Sequence, residues 1–225
     1  NRFYKIVIIG VKKLKHTEAL LKAEKFQQKM EKIAQNDYWR PQYHIAAPAN
    51  WINDPNGFCF YKGEYHLFYQ YHPYSSQWGP MHWGHVASKD LADWEHRPIA
   101  LAPTDEYDKD GCFSGSAIEN DGKLYLLYTG HVDLDNSNGG NDRIETQCLA
   151  VSDDGKHFEK VENNPVIKAL PENLNIRTEH FRDPKVWKHG DWYYTVVGVQ
   201  TKEESGQVVV YKSQDLINWE FLNIM

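Results

Sequence analysis

Two Asp-Pro pairs carry the chemistry this sequence is equipped to do. Asp54 stands in Trp51-Ile52-Asn53-Asp54-Pro55-Asn56-Gly57, and Asp183 lies between Arg182 and Pro184. Taken alone, Asn-Asp-Pro-Asn-Gly is ordinary turn chemistry: proline fixes φ, asparagine and glycine tolerate positive φ, and aspartate caps a bend. Turn chemistry does not explain why Asp-Pro recurs at the same place ahead of a second apolar strand. Two carboxylates brought to one pocket suit glycoside chemistry, in which one attacks or activates at the anomeric carbon while a carboxylic acid protonates the leaving oxygen. Asp54 is the candidate nucleophile. Arg182, next to Asp183, is expected to hold that carboxylate ionised and to donate hydrogen bonds to hydroxyl groups.

The elements that must position these residues form a repeat. Gly57–Tyr69, Gly115–Tyr128 and Pro184–Val197 each read as a hairpin of aromatic and β-branched residues about a glycine, Gly63, Gly122 or Gly190. After each comes a shared phrase: Ala87-Ser88-Lys89-Asp90-Leu91 ending at Trp94, Val151-Ser152-Asp153-Asp154-Gly155 ending at Phe158, and Lys212-Ser213-Gln214-Asp215-Leu216 ending at Trp219. Four strands per repeat with aromatic hairpins is the pattern of a β-propeller blade. Asp54, Ser114 and Asp183 each precede their hairpin glycine by seven to nine residues, which puts them at the start of an innermost strand. Both carboxylates and the Phe113-Ser114 pair are therefore expected to meet in one pocket. Propellers close with four to eight blades, so three are expected to be the front part of a larger protein and, expressed alone, to be aggregation-prone.

Residues 1–40 read differently. Leu20, Leu21, Phe26, Met30 and Ile33 recur at helical spacing among lysine, glutamate and glutamine, predicting an amphipathic helix from about 18 to 35 with Thr17 as its N-cap and its stripe against the main body. The fold class is thus all-β with a short N-terminal α-helix, divided into a leader at 1–40 and a partial propeller at 41–225.

A net charge of −6 with one short basic stretch, Lys12, Lys13 and Lys15, argues against a nucleic-acid partner. The Ile6-Val7-Ile8-Ile9 run is too short to cross a membrane. Three cysteines, Cys59, Cys112 and Cys148, without disulfide or Cys-x-x-Cys spacing favour a reducing compartment, and the cytoplasm is the default. The aspartate-rich stretches 105–110 and 133–142 lack a calcium ladder and read as solvated loops. His82 and His85 read as packed side chains rather than metal ligands.

At these residues the sequence resembles glycoside hydrolase family 32, the β-fructofuranosidases, and within it the bacterial sucrose-6-phosphate hydrolases. The resemblance spans roughly residues 17–224. It runs through Trp51–Gly57, Phe68-Tyr-Gln-Tyr71, Trp78-Gly-Pro-Met-His-Trp-Gly-His85, Cys112-Phe-Ser-Gly115, Phe181-Arg-Asp-Pro184 and Gly206-Gln-Val-Val. It implies a five-bladed propeller with a C-terminal β-sandwich, and a retaining double displacement that releases fructose from sucrose or sucrose 6-phosphate without a metal or organic cofactor. Residue by residue, it gives Asp54 the nucleophile's part and Asp183 the transition-state stabiliser's. Trp51, Asn53, Gln70, Trp78, Phe113, Ser114 and Arg182 fall on sugar-binding positions. One departure stands out: the family's acid/base glutamate is followed by cysteine, and no Glu-Cys pair occurs here, so it is expected beyond Met225 and the 225 residues alone are expected to be nearly inactive. Two rivals share parts of the pattern. A fructosyltransferase or exo-fructanase would keep the nucleophile motif, whereas a non-catalytic sugar-binding propeller would need the aromatic platforms without both aspartates.

Overall fold

A computed structural model describes residues 2–41, 43–134, 142–171 and 174–225, with side chains from Lys15 onward. Its strands form three four-stranded antiparallel sheets in simple sequential order. The first holds β1 (Trp51–Tyr61), β2 (Glu64–His72), β3 (His82–Ser88) and β4 (Glu95–His96). The second holds β5 (Gly111–Asn120), β6 (Lys123–Asp133), β7 (Arg143–Ser152) and β8 (Glu159–Lys160). The third holds β9 (Ile176–His189), β10 (Trp192–Thr201), β11 (Gly206–Ser213) and β12 (Glu220–Ile224).

The turn residues explain the connections. Lys62-Gly63 and Asp121-Gly122 have φ of 47° and 83°, and 50° and 75°, the two left-handed residues that a tight, right-twisted hairpin requires. The Ser-x-Asp phrases make the same turn between third and fourth strands in all three sheets. Ser88, Ser152 and Ser213 donate from Oγ to Asp90, Asp154 and Asp215 at 3.0, 2.9 and 3.0 Å. Each serine Oγ in turn accepts from the N–H of Leu91, Gly155 or Leu216 at 2.8, 2.8 and 3.0 Å. The indoles of Trp94 and Trp219 close the outer two turns on the Leu91 and Leu216 carbonyls.

The second sheet is covered on both faces. Leu124, Leu126 and Tyr128 pack on Tyr61, Phe68 and Trp83 of the first sheet, while Leu127 and Leu149 meet Val186, Tyr193 and Leu216 of the third. A strand buried on both faces reads as a continuous apolar run, as Leu124-Tyr125-Leu126-Leu127-Tyr128 does. First strands lie beside one another, β1 against β5 and β5 against β9.

The helix α1 spans Arg2–Ala34, longer than the predicted 18–35, and Thr17 lies inside it rather than capping it. Nothing from Arg2 to His16 is proline, and the one glycine, Gly10, costs only roughly 0.5–1 kcal/mol, too little to stop a helix. Its docked face is narrower than predicted. Leu20 and Ala23 join Tyr69, Tyr71, Val86 and Ile99 in a core on the first sheet, and Phe26 meets Tyr74 edge-on at 5.4 Å. Leu21 and Ile33 point outward, 60% and 64% exposed. His16 is buried and accepts the Ala102 N–H at 3.2 Å.

The stretch 105–110 is not the solvated loop that its composition suggested. Asp108 is fully buried and accepts from the N–H of Thr104 and Asp105 at 3.0 and 2.9 Å and from Tyr128 at 2.8 Å. The Lys160 ammonium from β8 sits 2.6 Å from Asp108 and 3.3 Å from Asp105. One distant lysine thus supplies the positive charge that lets two aspartates leave water. Of 133–142, residues 135–141 lie outside the described residues.

Candidate active site

The three first strands share an irregularity, and the candidate residues sit on it. In β1, Ile52 faces Tyr71 and Pro55 faces Tyr69, so Asn53 and Asp54 together oppose the single residue Gln70. In β5, Phe113 faces Thr129 and Gly115 faces Tyr128, leaving Ser114 as the extra residue. In β9, Arg182 faces Gly198 and Lys185 faces Val196, so Asp183 and Pro184 oppose Val197. A β-bulge bends its strand and re-aims a side chain out of the regular alternation. Pro55 and Pro184 are tolerated because β1 and β9 edge their sheets and Pro184 falls within a bulge, where no ladder N–H is needed. Gly115 is required for a different reason: a Cβ on it would lie 2.1 Å from the Leu127 carbonyl oxygen.

The bulges turn Asp54, Ser114 and Asp183 into one open cavity of about 420 Å³, lined also by Asn53, Gln70, Trp78, Phe113 and Arg182. Trp51 stands behind it, its indole N–H donating to Asn53 Oδ1 at 2.9 Å. Asn53 passes this on, donating from Nδ2 to Asp54 Oδ1 at 3.1 Å, while Ser114 Oγ donates to Asp54 Oδ2 at 2.9 Å. Both carboxylate oxygens are thereby oriented from two different sheets. Gln70 is buried and donates to the Cys112 carbonyl at 3.0 Å, tying the first sheet to the second beside the cavity. Trp78 meets Phe113 edge-on at 6.3 Å, and Phe113 stacks on His131 at 3.9 Å. Such rings offer an apolar wall to the carbon face of a sugar.

Asp183 has a φ of 64°, in the left-handed region where aspartate is among the few tolerated residues. Its N–H donates to Thr129 Oγ1 at 3.0 Å, and Thr129 donates to Gln147 Oε1 at 3.0 Å. Gln147 then donates to the Phe181 carbonyl at 2.7 Å. Burial pushes the Asp183 carboxyl above its usual range; Arg182 opposes this, and the charges of Glu145 and Asp54 add to it. Arg182 thus favours the ionised carboxylate, as expected, but does not outweigh the burial and the two neighbouring carboxylates. Its Nε lies 3.8 Å from Asp183 Oδ2, whereas its Nη1 lies 3.3 Å from both oxygens of Glu145.

Glu145, His131, Thr129 and Gln147 were absent from the sequence reading. They sit opposite one another on β6 and β7, Thr129 facing Gln147 and His131 facing Glu145. The signal available was polar residues interrupting apolar strands, which a chain buried on both faces does not carry without partners. His131 itself, with Met81, Asp133 and Arg143, completes the cavity wall. His82 and His85 are packed away, His82 against the Pro80 carbonyl at 3.0 Å and His85 against His66 at 3.0 Å. Among the described residues no group of three His, Cys, Asp or Glu side chains is placed to hold a metal ion. Burial raises the Cys59 thiol to about 12, and Cys112 and Cys148 are buried with raised thiols. No described helix is long and apolar enough to cross a membrane.

Comparison with known proteins places this chain in a family. The glycosyl hydrolases family 32 N-terminal domain matches residues 44–225. The chain belongs to glycosyl hydrolase family 32. A sucrose-6-phosphate hydrolase of Escherichia coli is 52% identical over 186 residues, covering 82% of this chain and 37% of that protein. A raffinose invertase of Escherichia coli is 45% identical, covering 88% and 41%. The solved GH32 β-fructofuranosidase of Bombyx mori superposes with a TM-score of 0.81 at 47% identity, covering 92% of this chain and 42% of that one, and it has also been solved as a variant with sucrose. The chain spans about two fifths of the length of these relatives.

Proposed function

We propose that the whole protein is a β-fructofuranosidase that cleaves sucrose or sucrose 6-phosphate by a retaining double displacement. The observation that carries this reading is the Asp54 carboxylate, presented on a bulge into an open cavity, held at both oxygens and faced by a second aspartate. Names of the relatives support the substrate: two act on sucrose 6-phosphate or raffinose, and the Bombyx mori enzyme binds sucrose in its variant form.

In this mechanism Asp54 attacks the anomeric carbon of the fructosyl unit, the glycosidic bond breaks, and the leaving sugar oxygen takes a proton from an acid/base group supplied outside these 225 residues. Water then attacks the fructosyl ester and releases Asp54. Asp183, Asn53, Gln70 and Arg182 grip fructose hydroxyls, with contacts that tighten as the ring flattens towards an oxocarbenium ion. Trp78 and Phe113 cover its apolar face. The three sheets act as blades of a five-bladed propeller followed by a β-sandwich, with residues 1–40 as a helical leader and 41–225 as part of the catalytic domain. The protein works in the cytoplasm, on a small sugar.

Azide tests the assignment in the whole protein. Asp54→Asn is expected to lower kcat by several orders of magnitude while leaving the fold intact, since the covalent path is gone. Azide attacking from the vacated face should rescue Asp54→Ala and give a fructosyl azide of inverted configuration, with no rescue of Asp183→Ala. Rescue of Asp183→Ala alone, with inverted product, would mean that the two roles are exchanged.

A further inference from the structure

The geometry points to Glu145 as a positioning residue: from the second sheet it holds Arg182 away from Asp183 and pins the bulge that presents Asp183 to the sugar. This inference rests on the reading of Asp183 as a hydroxyl-gripping carboxylate.

Glu145 does not line the cavity, and its side chain is completely buried. Its Oε2 accepts the N–H of Phe181, two residues before Asp183, at 3.0 Å. Both of its oxygens stand 3.3 Å from Arg182 Nη1, and Oε1 is 3.4 Å from Nδ1 of His131, the ring under Phe113. Burial works against its charge, but His131, Arg182 and the Phe181 N–H outweigh it and hold the carboxyl below its usual range. A single guanidinium therefore lies between two carboxylates and sits nearer the buried one.

That asymmetry has a chemical use. Asp183 must keep its oxygens free to accept from sugar hydroxyls, and an arginine fork tends to take both oxygens of a carboxylate. With Arg182 Nε already 3.8 Å from Asp183, loss of the Glu145 charge leaves Arg182 Nη1 on His180 Nδ1, 3.1 Å away, with no buried carboxylate to hold it, and the guanidinium closes on Asp183. The same loss loosens the one backbone N–H that Glu145 fixes beside a residue in left-handed conformation. An inert structural ion pair would affect folding alone; this one is placed to set the rate.

The test is a double-mutant cycle in the whole protein, with kcat, KM and Tm measured on sucrose and on sucrose 6-phosphate. Glu145→Gln keeps the shape and an acceptor for the Phe181 N–H. We expect kcat to fall about 10- to 100-fold, the scale of a misplaced catalytic group, with KM within about threefold and Tm within a few degrees. In an Arg182→Gln background the same change should cost less than about threefold, because there is no guanidinium left to release. If Glu145→Gln alone does not fold, the double variant, which buries no unpaired charge, is expected to fold and to match Arg182→Gln. A kcat for Glu145→Gln within twofold of wild type, an equal loss in both backgrounds, or a double variant far below Arg182→Gln would overturn this inference and leave the proposed function standing. Wild-type protein inactive on both sugars, or full activity in Asp183→Ala, would overturn the two together.

Discussion

At the scale of single residues, Asp183 and Asp54 are the same side chain in unlike settings. Asp54 takes hydrogen bonds at both oxygens from Asn53 and Ser114, whereas Asp183 is partly desolvated near two other carboxylates and is raised above the usual range in spite of Arg182. A carboxylate that accepts from hydroxyls must be ionised, so the contribution of Asp183 is present at high pH and lost as pH falls through its raised value. The acid limb of kcat/KM should accordingly lie above the ordinary aspartate range near 4. In Glu145→Gln one negative neighbour is gone and Arg182 is freed to approach, and both changes move the limb to lower pH. A pH–rate profile of wild type and variant checks this; a limb that stays in place or moves upward sinks the assignment.

At the scale of elements, the two-residue strand β8 is held by a charge. Lys160 on it reaches the buried Asp108, whose loop leads through Gly111 and Cys112 into the Phe113-Ser114 bulge. Burial would lower the Lys160 ammonium, but Asp108 and Asp105 win and hold it charged. Lys160→Met leaves Asp108 buried and unpaired, at a cost of about 3–5 kcal/mol, while Lys160→Met with Asp108→Asn should cost less than the two changes summed. Urea unfolding of the four proteins measures both numbers, and a single-variant cost under about 1 kcal/mol would show that the pair is dispensable. The sequence could be read where the signal is local. Hairpin glycines, Ser-x-Asp turns and Asp-Pro steps are fixed by neighbours a few residues away, so the strands, their order and the clustering of Asp54, Ser114 and Asp183 followed from them. Lys160 with Asp108, and Glu145 with Arg182, are joined only by cross-strand and cross-sheet packing. Composition therefore made a solvated loop of the first pair and gave no sign of the second. The helix was cut short at Thr17 because a good capping residue inside a helix looks the same as one at its end.

At the scale of the whole molecule, buried neutral histidines make the fold sensitive to acid. Burial is the main cause that lowers His16 and His82 to about 3 and His85 well below its ordinary value. In the unfolded chain each titrates near 6.5, so the unfolded state gains protons first. Stability is full above about pH 6.5 and drains away as pH falls towards 3, by about 1.4 kcal/mol per pH unit for each such histidine. Thermal midpoints should drop steadily from pH 7 to pH 5, and His16→Gln, which keeps an acceptor for the Ala102 N–H, should make the slope shallower. An unchanged slope in that variant would mean that His16 is already protonated in the fold. The three Ser-x-Asp turns point to something of another kind. Each is closed by its own serine and aspartate. A sheet whose outer turn is closed locally leaves its inner strand free to bulge and to carry whatever side chain the shared cavity needs, which here is Asp54, Ser114 or Asp183.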